Sequence, residues 1–528
     1  MSASPRPSAL TAAQVSALPA PAMADLILTQ QGEIQSLQHR VQWFERMLFG
    51  QKSERRLEPN PQQMLLGELP VPTPPEPAAG KTVAAHTRRS PTTDCAGGDD
   101  EGALFFDPAR VPVETIAVPN PELAGLSADQ YEVIGEKVTH RLAQRPGSYV
   151  ILKYVRPLIK RRDTQTLSCP GAPVSVIDGS RADVSFVAGL LLDKFAYHLP
   201  LYRQHQRLAD SGITVSRPWL TQLTHSAGSL LEPIYDAQLA SIRQSRVKAM
   251  DETPIKAGRA GPGKLKSGYF WPVYGERDEV CFPFHPSREA KHVLTTLGHD
   301  PPAGAVLLSD GYAAYARYAE KCGLTHAQCW AHTRRKFFDA QAIEPERATV
   351  ALDMIGALYA VEAEIRDADL SGAAKRHCRQ QQARPRVERF FAWVDAQFAA
   401  QGLLPSSPLT TALAYARERQ AGLEVYLADP DVPIDTNHLE RALRSIPMGR
   451  KAWLFCWTEV GAKYTGIVQS LITTCRLHDI DPYVYLVDVL QRIGQHPAAQ
   501  VEQLTPRLWK ERFADCPLRS DLQHTADR

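Results

Sequence analysis

The sequence predicts a multidomain α/β protein whose centre is a mixed sheet with helices on its faces. Three observations predict it. The chain has 528 residues, which at roughly 100–200 residues per domain means about three or four domains. Its composition, 44% hydrophobic and 22% charged, is that of globular chains rather than fibrous or wholly disordered ones. From Val247 onward the pattern runs through three strands, then helix, strand, helix, strand, helix, an order that builds a mixed sheet covered by helices.

Several classes are excluded by composition. No apolar run approaches the roughly 18 residues that a membrane span requires, and Met1 to Pro21 lacks a basic stretch followed by an apolar core. Nine scattered cysteines do not form a disulfide framework, so reduced thiols and a cytoplasmic location are expected. The formal net charge of +2 neither favours nor excludes nucleic acid, and local basic clusters have to decide that.

In chain order, residues 1–24, rich in Ala, Ser and Pro, are expected to be disordered. Residues 25–57 carry a heptad pattern. Ile27, Ile34, Val41 and Leu48 fall at a positions and Leu37 and Phe44 at d, with Gln30 the polar exception. That is a short coiled coil pairing two chains, or else an amphipathic helix packed on its own domain. It should end near Phe49-Gly50, since Gly is favoured just past a helix. Residues 58–103 have too much Pro and too little apolar content to pack, and read as a linker.

Residues 104–175 read as a small β-rich domain. The segment Gly147–Arg162 alternates and is rich in β-branched residues. It carries Lys153, Arg156, Lys160, Arg161 and Arg162 without an acid, which is either a solvated strand face or a phosphate-tracking surface. Residues 176–245 read as helices. Gly212 breaks the pattern, and Ser216 is placed to cap the next helix with Pro218 in its first turn. Helix, Gly-containing turn, helix is a helix-turn-helix pattern that many αα-hairpins share. In it Arg203, Arg207 and Arg217 could face DNA.

The strands of the central sheet are read at Val247–Thr253, Gly268–Gly275, Glu279–His285, Gly304–Ser309 and near Thr325. Asp251 stands at the end of the first and Asp310 at the end of the fourth. Strand ends are where an open α/β sheet exposes functional groups. If the two strands are neighbours, two carboxylates face each other at a cost that a cation relieves, and hard oxygen ligands suit Mg²⁺. Each Asp alone reads more readily as a turn or helix-cap residue, and it is the pair at the ends of two such strands that favours a site. A third acid, Glu440, lies in a helix that Asp435 or Thr436 can cap, with Asn437 and Arg444 on the same face. That grouping suits a metal site that also grips phosphate, although an exposed helical salt bridge has the same pattern.

These segments together resemble bacterial DDE-type transposases of the insertion sequence 66 family, specifically the large catalytic subunit. The resemblance rests on FGQKSER, HLPLYRQ with GITVSR, DETP, LLSDGYAAY, CWAHTRRKFFDA, IDTNHLERALR, GRKAWLF and SLITTCRLHDIDPYVYLVDVL, in order from about Phe49 to Leu490. It implies an RNase H-like catalytic domain over 246–455, with Asp251, Asp310 and Glu440 as catalytic and metal-binding acids. A helical insertion over about 343–425 is expected before Glu440. There Ala351, Ile355, Leu358 and Ile365 form one apolar stripe, and Val387, Phe391, Val394 and Phe398 another. Residues 456–528 read as a C-terminal helical region that packs without chemistry of its own.

One departure stands out. Family members usually carry Cys-x-x-Cys pairs in the β-rich domain, whereas residues 104–170 here hold only Cys169, so no structural zinc is expected. Cys329 and His332 form a Cys-x-x-His similar to one in several such families. Together with Asn437 they are expected to support the site, with direct contact to it, or a zinc site shared with Cys322 and His326, as alternatives.

The implied activity is cleavage of DNA at element ends and transfer of the freed 3′-OH into target DNA. Two Mg²⁺ ions about 4 Å apart would serve it, and Mn²⁺ could substitute. The implied partners are double-stranded DNA (the terminal inverted repeats and the target), a second copy of the chain through the coiled coil, and helper proteins of the same element. Arg334, Arg335, Lys336, Arg441, Arg444, Arg450 and Lys451 lie beside the acids and are the basic groups expected on phosphates. A catalytically silent DNA-binding regulator, or a metal-dependent nuclease that cuts without joining, remains the alternative.

Overall fold

The computed structural model describes residue 19 and residues 104–526, except 124–126, 128–129, 146, 262–263 and 401–402. The segments expected as disordered, coiled coil and linker, residues 1–103, otherwise lie outside the described residues.

The first sheet contains β1 (Val113–Ala117), β2 (Tyr131–Arg145), β3 (Ser148–Arg161) and β4 (Leu167–Ser168), with β3 between β1 and β2. β2 and β3 pair antiparallel over their whole length, and β1 runs parallel to β3. Leu152 and Tyr154 are fully buried on one face of β3 and Ile151 on the other, so this stretch of the strand is covered on both sides rather than alternating between core and solvent. Three helices follow: α1 (Val184–Phe195), α2 (Leu201–Asp210) and α3 (Arg217–Arg243). Ser216 caps α3 by accepting the Trp219 N–H at 3.3 Å.

α3 does not stop at the edge of a helical domain. Leu220, Leu223, Ala227, Leu231, Ile234, Gln238 and Ile242 bury one stripe of it, at the spacing of a helix face. Gln238 Nε2 donates to Val280 O at 2.9 Å and to Thr474 Oγ1 at 3.0 Å. One hydrophobic cluster therefore runs from Phe106, through α1 and α3, to Trp509.

The central sheet has five strands in the order β12-β11-β5-β8-β9. They are β5 (Val247–Met250), β8 (Val273–Gly275), β9 (Val280–Cys281), β11 (Val306–Ser309) and β12 (Thr325–Gln328). β5, β11 and β12 are parallel; β8 and β9 are antiparallel to their neighbours. A second sheet stacks β10 (Phe284–His285), β7 (Lys264–Phe270) and β6 (Thr253–Gly261). Here the structure corrects the sequence reading. Gly268–Gly275 and Glu279–His285, each expected as one strand, are split at Pro272 and Pro283 between the two sheets. Proline has no N–H to give a ladder and is disfavoured inside a strand, and at both of these prolines the pairing passes from one sheet to the other. β6 was not expected, because Pro254, Gly258 and Gly261 weaken its strand signal. Gly258 takes a φ of 74° beside a register shift between Lys256 and Arg259.

Helices α4 (Lys291–Leu297), α5 (Ala313–Cys322) and α6 (Trp330–Ala340) connect and follow the parallel strands. The expected insertion is helical: α7 (Pro345–Asp367), α8 (Gly372–Cys378), a π turn (Arg379–Ala383), α9 (Arg384–Ala399), α10 (Pro408–Glu418) and α11 (Gln420–Ala428). Both predicted stripes face inward, with Phe398 only partly buried. The chain then returns through α12 (Asn437–Leu443) and α13 (Ser445–Trp453). α14 (Glu459–Leu477), α15 (Pro482–Arg492) and α16 (Pro506–Arg512) complete the core. α14 is buried over most of its length and lies against α3 and β9.

Candidate active site

β5 is an unbroken buried run, Val247 to Met250, and Asp251 is the first residue beyond it. β11 is equally buried, Val306 to Ser309, and Asp310 is the first residue beyond it. The strands are parallel neighbours with Leu308 opposite Ala249, so both aspartates emerge at the same end of the sheet. Burial, then the charges of Glu252 and Asp310, push the Asp251 carboxyl up to about 7; the Glu252 N–H and His332 act in the opposite direction. The Glu252 N–H reaches Asp251 Oδ1 at 2.8 Å. Asp310 Oδ1 accepts the Tyr312 N–H at 2.9 Å. Ser309, between strand and acid, bonds His326 Nε2 at 2.8 Å, and burial lowers that imidazole to about 4.

Glu440 stands on α12, and His332, whose charge acts on Asp251, links the two acids. The Asp435 carboxylate accepts the Asn437 N–H at 3.0 Å and the Asn437 side-chain amide at 2.5 Å, holding the start of the helix. Cys329 is buried, and its sulfur accepts both the Thr436 N–H and the Thr436 hydroxyl at 3.3 Å. Burial pushes the thiol up to about 11, so it stays protonated. Three residues on, His332 Nε2 stands 3.8 Å from Glu440 Oε1. The four Cys and His residues of the zinc-like spacing thus have separate surroundings. Cys329 holds Thr436, His332 approaches Glu440, His326 bonds Ser309, and Cys322 ends α5.

Three groups that sequence reasoning missed surround the aspartates. The Glu252 side chain is 4% exposed and paired with Arg288, whose Nε is at 2.9 Å. The Tyr315 hydroxyl donates to it as well. The Arg288 guanidinium lies 4.4 Å from the centre of the Tyr312 ring and feels the charge of Asp310. Arg419, at the junction of α10 and α11, donates to Gly311 O at 3.3 Å and covers the Tyr415 ring at 3.9 Å. A Cβ on Gly311 would stand 2.5 Å from Arg419 Nε, so the residue after Asp310 has to be glycine for this arginine to approach. Glu252 could have been found as the neighbour of Asp251 in DETP; nothing local marks Arg288 or Arg419.

The predicted basic residues divide. Arg334, Arg335 and Lys336 are exposed on α6, and Arg441, Arg444 and Lys451 are exposed on α12, at its end and on α13. Lys336 Nζ lies 5.5 Å above Tyr415. Arg450 is tied to the carbonyl of Pro254. Arg203 is exposed, and Arg217 is 4.6 Å from the Tyr202 ring centre. Arg207 differs in having partners: exposed itself, it pairs with Asp193 and donates to the Tyr149 hydroxyl at 2.8 Å. In β3 and the turn after it, Arg161 pairs with Asp163 at 2.9 Å.

Among the described residues, no three Asp, Glu, His or Cys side chains are gathered closely enough to enclose a metal ion. The donor chemistry of the sheet end nonetheless fits one. Asp251 is withdrawn from water and raised by neighbouring carboxylates, and a hard divalent cation is the partner that reverses such a shift.

A family model described as Transposase IS66 family matches residues 179–464, more than half of the chain. The chain belongs to the Transposase IS66 family. The match spans α1–α3, both sheets around the aspartates, the helical insertion and α12, so all three candidate acids lie within it. A model described as IS66 C-terminal element matches residues 470–507. One described as Transposase C of IS166 homeodomain matches residues 36–95, across part of the predicted coiled coil and most of the stretch read as a linker. Relatives in Sinorhizobium fredii (strain NBRC 101917 / NGR234) are uncharacterized proteins. Protein y4hP is 28% identical over 91% of this chain and 90% of its own. Protein y4qI is 30% identical over 71% of each. As an IS66-family member the chain is of a transposase type that acts on DNA. Among its described residues no helix is long and apolar enough to cross a membrane.

Proposed function

We propose that this chain is a DDE-type DNA transposase with an RNase H-like core, in which Asp251, Asp310 and Glu440 are the catalytic acids. The observation that carries the proposal is the placement of Asp251 and Asp310 at the same end of adjacent parallel strands, with Asp251 raised to about 7 by burial and neighbouring acids. The three antiparallel and two further parallel strands of the central sheet support the RNase H-like reading. The reaction is cleavage at the ends of an element and transfer of the freed 3′-OH into target DNA.

Asp251 and Asp310, with Glu440, would hold two Mg²⁺ ions, for which Mn²⁺ could substitute; bound there, such ions activate the attacking hydroxyl and neutralise the leaving oxygen. The remaining work falls to this chain's own groups. Arg334, Arg335, Lys336, Arg441, Arg444 and Lys451 bind phosphates and orient the strand, each neutralised phosphate adding to the salt dependence of binding. Arg288 and Arg419 flank Asp310 and hold its turn in shape. Cys329 anchors the start of the glutamate helix through Thr436, and His332 lies against Glu440. Arg203 and Arg217 present the α2–α3 corner to the duplex. Positioning of this kind supplies much of the rate in displacement chemistry. The active form is a homo-oligomer paired through residues 25–57, acting on terminal inverted repeats with helper proteins of the element.

The test is an in vitro reaction with a labelled duplex carrying the element end and Mg²⁺ or Mn²⁺, comparing the native chain with Glu440→Gln. Metal-dependent nicking and joining, both lost in Glu440→Gln, are expected. Binding without cutting would turn the reading to a silent regulator, and cutting without joining to a nuclease.

A further inference from the structure

Directly after Asp251 and Glu252 the chain leaves the central sheet as β6 and β7. Residues 253–261 and 264–270 contain Lys256, Arg259, Lys264 and Lys266 and no acid. A second segment from beyond the glutamate helix lies along β6. The Cys456 N–H donates to Lys256 O at 2.8 Å, and the Gly258 N–H to Cys456 O at 3.2 Å. That segment, residues 444–458, adds Arg444, Arg450 and Lys451, again with no acid. The first carboxylate is Glu459, which pairs with Lys266 at 3.0 Å.

Seated in this basic surface is Trp457, 63% exposed. The Phe455 ring meets it edge-on at 4.9 Å, and the Arg259 guanidinium is 5.6 Å from its ring centre. Leu454, 65% exposed, turns the chain out of α13 with a φ of 62°. A residue with a Cβ is strained there, and such strain persists only where the surroundings impose it. The turn lays Phe455–Trp457 along β6 with the indole in solvent, where burial would have been the default for so large a ring.

A cation-rich face disfavours an apolar protein partner and complements a phosphate chain. An exposed indole flanked by arginine is a stacking surface for a nucleobase. A base offers its face only when it is unstacked from the duplex. We propose that β6, β7 and residues 454–458 form a platform for a DNA strand. Lys256, Arg259, Lys264 and Lys451 lie along its phosphates, and Trp457 stacks on an unpaired base. The inference rests on the DNA-transposase reading and deepens it. Six or seven extended residues place the platform within about 20 Å of Asp251, about six nucleotides along one strand. It therefore holds a strand opened close to the reacting phosphate.

The experiment uses the full chain and two fluorescein-labelled DNAs of one sequence, a blunt duplex and the same duplex with a single-stranded fork. Trp457→Ala should weaken fork binding about tenfold and leave blunt-duplex binding unchanged, while Trp457→Phe keeps most of the fork affinity. A 2-aminopurine in the fork should be quenched by the native chain and not by Trp457→Ala. Equal loss on both DNAs, or no loss on either, overturns the platform while leaving the DNA reading intact. Failure of the native chain to bind either DNA overturns both.

Discussion

Arg379 and Asp251 are both ionisable side chains withdrawn from water, and the protein treats them in opposite ways. Arg379 sits in the π turn of the helical insertion with no exposed surface. Its Nε and Nη2 donate to the two oxygens of Glu362 at 2.8 Å, and Nη1 reaches the carbonyls of Tyr426, Asp429 and Val432 between 2.8 and 3.1 Å. The wide turn aims one guanidinium both at α7 and at the loop leading to Asp435 and Glu440. Every arm of that charge is answered by the fold. At the end of β5, by contrast, Asp251 is crowded by Glu252 and Asp310, and its carboxyl is raised. A buried charge that serves structure is neutralised from within. One placed for chemistry, as proposed for Asp251, is left needing a partner from outside.

Substitutions can break this contrast. The largest effect is expected at the sheet end. Asp251→Asn should lower cleavage and joining at least about a thousandfold, the scale of several kcal/mol of lost charge stabilisation, with DNA binding retained. The same change should not destabilise the fold. The Asp251 carboxyl goes from an ordinary 3.8 to about 7 in the folded chain, so the folded state holds its proton more tightly. Its contribution to stability is therefore lost as pH rises from about 4 to about 7 and stays lost above. With chelator present, unfolding midpoints of the native chain should fall through that window relative to those of Asp251→Asn. If the two run parallel, the carboxylates are not crowded as described.

At the insertion the order of effects should reverse. Arg379→Met leaves the half-buried Glu362 without its partner and three carbonyls without a donor, and should cost about 3–5 kcal/mol in urea unfolding. The double change Arg379→Met with Glu362→Leu should recover much of it. A single change that costs nothing would mean that Arg379 is not held as described. A smaller effect is expected at Cys329. Cys329→Ala removes the acceptor of the Thr436 N–H and hydroxyl, at about 1–3 kcal/mol for buried donors left unpaired. Cys329→Ser should recover part of the stability, and strand transfer with it if the glutamate helix is set from this point. Full activity in the alanine variant would separate Cys329 from the site.

Much of this was readable along the chain, and for local reasons. Asp251 and Asp310 stand out because each closes a short apolar strand, and strand length and burial are written in a few adjacent residues. Ser216 before Pro218 marks the start of α3. The stripe of Ala351, Ile355, Leu358 and Ile365 marks α7, where the same residues are buried. The errors have local causes too. Pro272 and Pro283 divided strands that alternation alone had joined, and β6 was hidden by its own glycines and proline. That Arg207 pairs with Asp193 and Tyr149 was not legible, because those partners lie on other elements of the fold.

By itself, then, the sequence determined the two short apolar strands that end at Asp251 and Asp310, the helices that follow the second of them and the helical character of the insertion. All of these follow from periodicity and breakers within one turn or one strand. Only the tertiary structure decided that Cys329 holds Thr436, that Arg419 reaches Gly311 from the far side of the insertion, and that Trp457 lies along β6. Those contacts join residues about 100 or more positions apart. No local pattern encodes such pairings, because they exist only once the β5–β11 sheet and the helices packed on it have brought distant segments to one edge.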